Sequence, residues 1–335
     1  MQKNKYNVAV VGVGAVGEEM LRVLAQRKFP VGNLRVFARS AREINVDNKK
    51  YSVEAISNDA FAGINIALFA GTEGEKGAAV TYGSEAVKRG AVVIDNGRDF
   101  RMDPNVPLIV PEVNAQEIKK HKGIIANPNC TTIQFVVAIN PIYKKAGIDR
   151  LILCSYQAAS GAGRSAVEQL QNEYRVWANG SQEEVPKGLP QKIAFNVFPQ
   201  VGSFAQDDYT EEEWKTVHEA HKILGDDKIK ISSTTVRVSV KTGHSQAIYL
   251  ETKKHISPEA VKDILSKAPG VKLVDDPKNN LYPMPLDVEG RDEVFVGRVR
   301  RDPFVKNGLW LWVVADNLRK GAATNAVQIA EELIK

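Results

Sequence analysis

The octapeptide Asn-Pro-Asn-Cys-Thr-Thr-Ile-Gln, residues 127–134, sets one of only two cysteines between a turn-forming triplet and an apolar run. Asn-Pro-Asn disfavours helix up to Asn129, whereas TTIQFVVAINPIYKKA has the spacing of an amphipathic helix, with Pro141 as a kink or break. Cys130 is therefore expected at or just before a helix N-terminus. Exposed N–H groups and the positive dipole end favour a thiolate there, the nucleophilic form. The same donors can hold the oxyanion of a tetrahedral intermediate. Local context leaves a structural thiol equally open. Cys154, in RLILCSYQ, falls in mid-strand and reads as an inert core residue.

A second grouping with chemical content is the run Gly12, Val13, Gly14, Ala15, Val16, Gly17, which follows the apolar NVAVV and precedes the helical pattern EEMLRVLAQRKF. Strand, glycine turn and helix in that order let helix N-terminal amides hold a pyrophosphate. A tight turn without a ligand is the plain alternative. NAD-binding units of this kind usually place an acid roughly 20 residues further on, for the ribose 2′-hydroxyl. Here the next strand ends Phe-Ala-Arg-Ser-Ala-Arg, residues 37–42, with no acid. Arg39 and Ser40, with Arg42 nearby, suit the 2′-phosphate of NADP instead.

These groups need elements to position them. Apolar runs at 34–39, 64–71, 91–97 and 108–113 read as further strands of a parallel, doubly wound sheet. Runs near 150–157, 228–240, 245–252, 293–301 and 309–315 read as a second, mixed sheet, covered by helices on one face and by a partner on the other. The expected fold is thus α/β: a Rossmann-type domain at 1–128, completed by a C-terminal helix at 318–335, and an α+β catalytic and dimerisation domain at 129–317. The active site is expected in the cleft between them.

Composition narrows the partners. The 335 residues are 43% hydrophobic and 25% charged, with 45 basic against 40 acidic side chains, and no charge block or basic stripe suggests nucleic acid. No run approaches the roughly 20 apolar residues that span a bilayer, and MQKNKYN lacks the apolar stretch of a signal peptide. A cytoplasmic location is the default. Two cysteines form neither a disulfide framework nor a zinc quartet. In HEAHK, His218 and His221 are three apart where the zinc-protease motif needs four. No metal is expected.

Four segments together, NPNCTTIQ, SYQAASGAG at 155–163, VRVSVKTGHSQ at 236–246 and DNLRKGAATNAVQIAEEL at 316–333, resemble the aspartate-β-semialdehyde dehydrogenases in order and separation. The resemblance covers essentially the whole chain. Two departures touch the cofactor end. The glycine turn is one residue shorter than the family's usual G-x-T-G-x-V-G, and AGTEGEKGAAVTYG at 70–83 stands where a Ser/Thr-rich loop is expected.

The resemblance implies reductive dephosphorylation of L-aspartyl-4-phosphate to aspartate semialdehyde with NADPH, through a thioester on Cys130, toward lysine, threonine, methionine and diaminopimelate. It makes His244, unaided a surface-loop histidine in KTGHSQ, the proton carrier. It makes Gln157 a hydrogen-bonding partner of substrate or intermediate, with Asn129 supporting the oxyanion. Arg237, on the polar face of TTVRVSV with Thr235 and Ser239, would grip the α-carboxylate; unaided, that face reads as solvated. Glu219 and Lys222, three apart on one helical face, would take the substrate ammonium and the phosphate, with Arg101 as second phosphate ligand and Arg98 its competitor. Asn317 would hold the nicotinamide, and Ser160 and Gly161 would approach the cofactor. A homodimer through the second sheet is likewise implied. The rivals are a related acyl-phosphate or acyl-CoA reductase, a glyceraldehyde-3-phosphate dehydrogenase, which would usually show an acid after the second strand, and a non-catalytic paralogue.

Overall fold

The N-terminal apolar run forms strand β1, Tyr6–Val11, and the glycine turn leads from it into helix α1, Ala15–Gln26, whose Met20, Leu21, Val23 and Leu24 are buried. The computed structural model describes residues 5–71 and 77–335. It divides into two units, Met1–Asn129 with Ala322–Lys335, and Cys130–Gly321. Part of the 70–83 segment, residues 72–76, lies outside the described residues.

In the first unit α1 is followed by β2 (Val31–Ala38), β3 (Arg42–Val46), β4 (Lys49–Ala55), β5 (Ile66–Phe69), α2 (Ala78–Lys88), β6 (Val92–Asp95), a one-turn α3 (Pro111–Asn114) and β7 (Ile124–Ala126). The strand order is β3-β4-β2-β1-β5-β6-β7. All neighbours are parallel except β3 and β4, so the sheet is mixed where the sequence reading has a parallel one. That antiparallel edge is turned by Asp47 and Asn48, both left-handed with φ of 50° and 63°, the backbone of a two-residue hairpin.

The expected strand at 108–113 is also corrected. Only Leu108 bridges to Ala126, and Pro111 then opens α3. Ile109 N–H and the Pro107 carbonyl still pair with Ala126 at 3.1 and 2.9 Å, but the groups on the other side are taken by the Asn114 side chain, which accepts from Val110 N–H at 2.9 Å and donates to the Leu108 carbonyl at 2.9 Å. The sheet strand at that edge is instead β7, immediately ahead of the cysteine octapeptide.

The second unit begins with α4 (Cys130–Ala146), which starts at the cysteine and runs unbroken through Pro141. It continues with β8 (Ile148–Gln157), α5 (Arg164–Ala178), β9 (Val197–Phe198), α6 (Glu211–Leu224), β10 (Lys230–Val238), β11 (His244–Thr252), α7 (Pro258–Ser266), β12 (Val271–Leu273), a one-turn α8 (Pro285–Val288), β13 (Val294–Arg301) and β14 (Gly308–Ala315). The order β12-β13-β14-β11-β8-β10-β9 is mixed. Along β8, Leu151, Leu153, Ser155 and Gln157 are buried, whereas Ile152 and Cys154 are half-buried and Tyr156 is exposed. Trp310 and Trp312 of β14 are half-buried, and Tyr156 and Trp312 have ring centroids 5.7 Å apart. The outward face of this sheet therefore carries an aromatic patch at Tyr156, Trp310 and Trp312, beside polar Ser232 and Thr234 of β10.

A helix cap and a π-turn decide where site residues fall. Thr210 and Glu213 form a reciprocal capping box that starts α6: Thr210 N–H donates to Glu213 Oε2 at 2.7 Å, and Glu213 N–H to Thr210 Oγ1 at 3.3 Å. The other Glu213 oxygen accepts from Thr235 N–H at 2.8 Å, fastening that first turn to β10. Past β14, a π-turn at Arg319–Ala323 leads into α9 (Thr324–Leu333). Ala326, Val327, Ile329 and Ala330 of α9 join the core of the first unit, and Arg27 pairs with Glu331 at 2.7 Å.

Candidate active site

Cys130 is the first residue of α4, and its Sγ lies 3.5 Å from Nε2 of His244, the first residue of β11. His244 is fully buried. Its Nδ1 accepts from the Ala158 N–H at 3.1 Å, so the neutral ring carries its proton on Nε2, facing the sulfur. Burial, then the neighbouring Arg237, pushes the imidazole down to about 3, with Glu212 opposing. A cationic ring would also have to give up the Ala158 hydrogen bond. The histidine thus stands neutral at pH 7, with its Nε2–H directed at the Cys130 sulfur.

A pH dependence follows from that depressed pKa. The unfolded imidazole takes a proton near 6.5 while the native one does not, so its contribution to stability is complete above that pH and is lost as pH falls from 6.5 toward about 3. Urea unfolding should show wild type losing stability on acidification faster than His244→Gln, by at most about 1.4 kcal/mol per pH unit. Parallel curves would refute the assignment.

Arg237 is buried on β10, and Nη1 donates to the Ala158 carbonyl at 2.7 Å. Its Nε is buried without a hydrogen-bond partner among the described residues, a donor arranged for an anion. The polar face of β10 is in fact the buried one: Ser233, Thr235 and Arg237 point inward and Thr234 outward, which reverses the solvated reading. Gln157, at the end of the neighbouring β8, donates to Thr131 Oγ1 at 2.8 Å and to Glu212 Oε1 at 3.2 Å. Glu212 is itself buried and paired with Lys215 at 3.3 Å.

Two glycines press against this group. A Cβ on Gly161 would stand 2.8 Å from His244 Cε1, 2.9 Å from its Nε2 and 3.2 Å from Arg237 Nη1. One on Gly321, in the π-turn, would stand 2.9 Å from Cys130 Cβ. Beside them, Asn317 Oδ1 accepts from Ser160 Oγ at 3.0 Å and from Gly243 N–H at 3.0 Å. That pair sets the orientation of its amide and leaves Nδ2 as the remaining donor.

In the first unit, Gly12 has φ of 98°, and a Cβ on Gly17 would stand 1.9 Å from the Gly12 carbonyl oxygen, so both positions demand glycine. Around Gly14, at the mouth of α1, nothing among the described residues lies within 4 Å of such a Cβ. This open turn at a helix N-terminus fits a pyrophosphate. Arg39 and Ser40 follow β2 and are exposed, with Arg42 Nη1 held 3.3 Å from Ser40 Oγ. Arg101 is buried and anchored to the carbonyls of Asn127, at 3.0 Å, and Asn96, at 2.9 Å, whereas Arg98 is exposed.

Comparison with known proteins accords with this geometry. Residues 7–121 match the family described as semialdehyde dehydrogenase, NAD binding domain, and residues 139–320 the semialdehyde dehydrogenase dimerisation domain. An aspartate-semialdehyde dehydrogenase of Aquifex aeolicus is 51% identical over 98% of both chains, and one of Bacillus subtilis 46% identical over 98% of this chain and 97% of its own. This chain belongs to the aspartate-semialdehyde dehydrogenase family. A crystal structure of aspartate semialdehyde dehydrogenase II from Vibrio cholerae superposes with a TM-score of 0.93 at 43% identity over 99% of both chains. A second, described as complexed with ASA, gives 0.94 at 42% identity. The fold is accordingly the two-sheet architecture of the semialdehyde dehydrogenases, and the cofactor class is a nicotinamide dinucleotide.

Within this family frame the structure brings Cys130, His244, Gln157, Arg237, Gly161, Ser160 and Asn317 into the second unit. Asn129 is buried immediately ahead of Cys130. The acidic partner of Gln157 is Glu212, which the sequence reading missed. Glu219 and Lys222 repeat the same i,i+3 spacing seven residues on, about 10 Å further along α6. The signal that distinguishes the two pairs is the Thr210-x-x-Glu213 box, which fixes the helix start and puts Glu212 in its first turn. His218 stacks on Trp214 and His221 bonds the Ile229 carbonyl at 2.8 Å, so both histidines of HEAHK have structural contacts. Cys154 is half-buried, on the outward side of β8, and burial pushes its thiol pKa up.

Proposed function

We propose that this chain reduces L-aspartyl-4-phosphate to L-aspartate 4-semialdehyde, releasing phosphate, with NADPH and through a thioester on Cys130. The observation that carries the reading is the Cys130–His244 pair: a sulfur at a helix start, 3.5 Å from an imidazole N–H whose other nitrogen is held by a backbone amide. The thiolate attacks the acyl phosphate, the phosphate leaves, and one difficult displacement becomes two easier steps. NADPH, when bound, supplies the hydride. His244 Nε2–H donates a hydrogen bond to the resulting oxyanion, which collapses to the aldehyde as the C–S bond breaks and the Cys130 thiolate, facing the same N–H, is restored.

The remaining roles follow from the placement of charge. Arg237, with its unpartnered buried Nε, takes the α-carboxylate. Arg101, anchored by two carbonyls, takes the phosphate in preference to exposed Arg98. We assign the substrate ammonium to Glu212 and phosphate contact to Lys215, because that pair is joined to Gln157 and bears on Arg237 and His244. Glu212→Gln should then lower kcat/KM by about 10- to 100-fold, one buried charge-assisted contact being worth roughly 1.5–3 kcal/mol, while Glu219→Gln should change it less than about threefold. The reverse ranking would return the role to Glu219.

The Gly12–Gly17 turn would hold the pyrophosphate, Asn317 Nδ2 the nicotinamide amide, and Arg39 with Ser40 the 2′-phosphate. NADP should therefore be preferred over NAD, and Arg39→Ala should cut kcat/KM for NADP by about 10- to 150-fold while barely moving that for NAD. Equal losses would make Arg39 structural, and a wild type preferring NAD would overturn the reading. The aromatic patch of Tyr156, Trp310 and Trp312 on the outward face of the second sheet, with the match to a dimerisation domain, supports a homodimer. The same reading makes this a cytoplasmic enzyme at the branch toward lysine, threonine, methionine and diaminopimelate. The deciding assay is NADP reduction with aspartate semialdehyde, which must depend on inorganic phosphate; reduction without phosphate, or none at all, would refute the reaction.

A further inference from the structure

We infer that the hydroxyl of Thr131 is a positioning group for this reaction, locking the first turn of α4, and with it the Cys130 sulfur, to Gln157 and Glu212. Thr131 is fully buried beside the cysteine. Its Oγ1 accepts from Gln157 Nε2 at 2.8 Å and donates to Glu212 Oε1 at 3.4 Å. Its carbonyl accepts from Gln246 Nε2 at 2.9 Å, and Gln246 lies two residues beyond His244 on the same face of β11. One residue therefore ties the nucleophile's helix to three elements: β8 through Gln157, α6 through Glu212, and the histidine's strand through Gln246.

The chemistry of a hydroxyl suits this task. It offers one donor and two acceptor lone pairs; here the donor goes to a carboxylate and an acceptor to an amide, which also fixes which end of the Gln157 amide faces the helix. Without the hydroxyl, Gln157 keeps Glu212 but loses its link to the cysteine's own turn. Displacements on the order of 1 Å at a reacting centre cost about 10²-fold in rate.

The inference rests on Cys130 as nucleophile and Gln157 as a contact of the intermediate, and the test separates the two levels. Thr131→Val, which keeps shape, and Thr131→Ala should both lower kcat about 10- to 100-fold with KM for aspartate semialdehyde within about threefold. Thr131→Ser should restore kcat to within about threefold of wild type. Added to Gln157→Ala, Thr131→Val should cost less than about threefold more, because the hydroxyl acts through Gln157. Full activity in Thr131→Val, a Thr131→Ser as slow as the valine variant, or independent losses in the double variant would overturn the inference. Should Cys130→Ser turn over like wild type, the underlying mechanism fails instead; an essential Cys130 with an unimpaired Thr131→Val removes the Thr131 role alone.

Discussion

Cys130→Ala is expected to lower kcat at least about 10⁴-fold, the scale on which removal of a covalent nucleophile is felt, while NADP binding stays within a few-fold. The two halves of this expectation come from different units. The sulfur opens α4 in the second unit, where His244 Nε2–H faces it, and no other thiol can substitute, since Cys154 lies on the outward side of β8 with its pKa raised by burial. The pyrophosphate turn at Gly12–Gly17 belongs to the first unit, whose core of β1, α1 and α9 owes nothing to the cysteine. Single-turnover acylation and fluorescence titration with NADP check each half. Activity within tenfold of wild type would exclude the thioester route, and joint loss of turnover and cofactor binding would point to a structural thiol.

Gly161→Ala should lower kcat/KM about 10²-fold with little loss of thermal stability. The added Cβ would meet His244 Cε1 at 2.8 Å and Nε2 at 2.9 Å, closer than such atoms approach, and Arg237 Nη1 at 3.2 Å. Neither partner can yield freely. His244 is held through Nδ1 by the Ala158 N–H, and Arg237 through Nη1 by the Ala158 carbonyl, so both side chains hang from one residue, three before Gly161. Because Gly161 lies in a short helical turn with no left-handed φ, alanine brings no backbone strain, and the effect is confined to moving those two groups. The readout that separates this from general damage is the pairing of a large rate loss with a melting temperature within a few degrees of wild type. A variant that unfolds in proportion to its loss of activity, or one as active as wild type, would remove the assignment. A selective rise in KM for NADP alone would make Gly161 a cofactor contact rather than a spacer for the histidine.

Local pattern was enough wherever a residue's environment is set by its own neighbours in the chain. NVAVV, a glycine turn and EEMLRVLAQ make a strand, a tight turn and a helix because apolar period, positive φ and helix start all act within a few residues. Asn-Pro-Asn before an apolar run places Cys130 at a helix start for the same reason. The Asp47–Asn48 hairpin and the Thr210–Glu213 box were also written locally, in turn and capping residues, and were legible without being read.

Other features depend on pairings that no window contains. Residues 108–113 have the composition of a strand, yet Pro111 opens a helical turn and the Asn114 side chain takes the Val110 N–H and the Leu108 carbonyl, and the strand position goes to 124–126. The polar face of β10 looks solvated in isolation, but α6 packs over it and turns Arg237 inward, where burial lowers its pKa and leaves Nε for an anion. The i,i+3 pattern of α6 admits Glu212 with Lys215 as readily as Glu219 with Lys222, and only the docking of the helix's first turn on β8 and β10 selects the former for contact with Gln157. Tertiary structure likewise decides that His244, a loop residue by its neighbours, begins a central strand and loses the solvent that would have let it charge. Sequence determined which groups the chain carries and where its helices and turns begin; the juxtaposition of residues 130, 157, 212, 237 and 244, and the dielectric in which they work, came from packing elements that lie up to 114 residues apart.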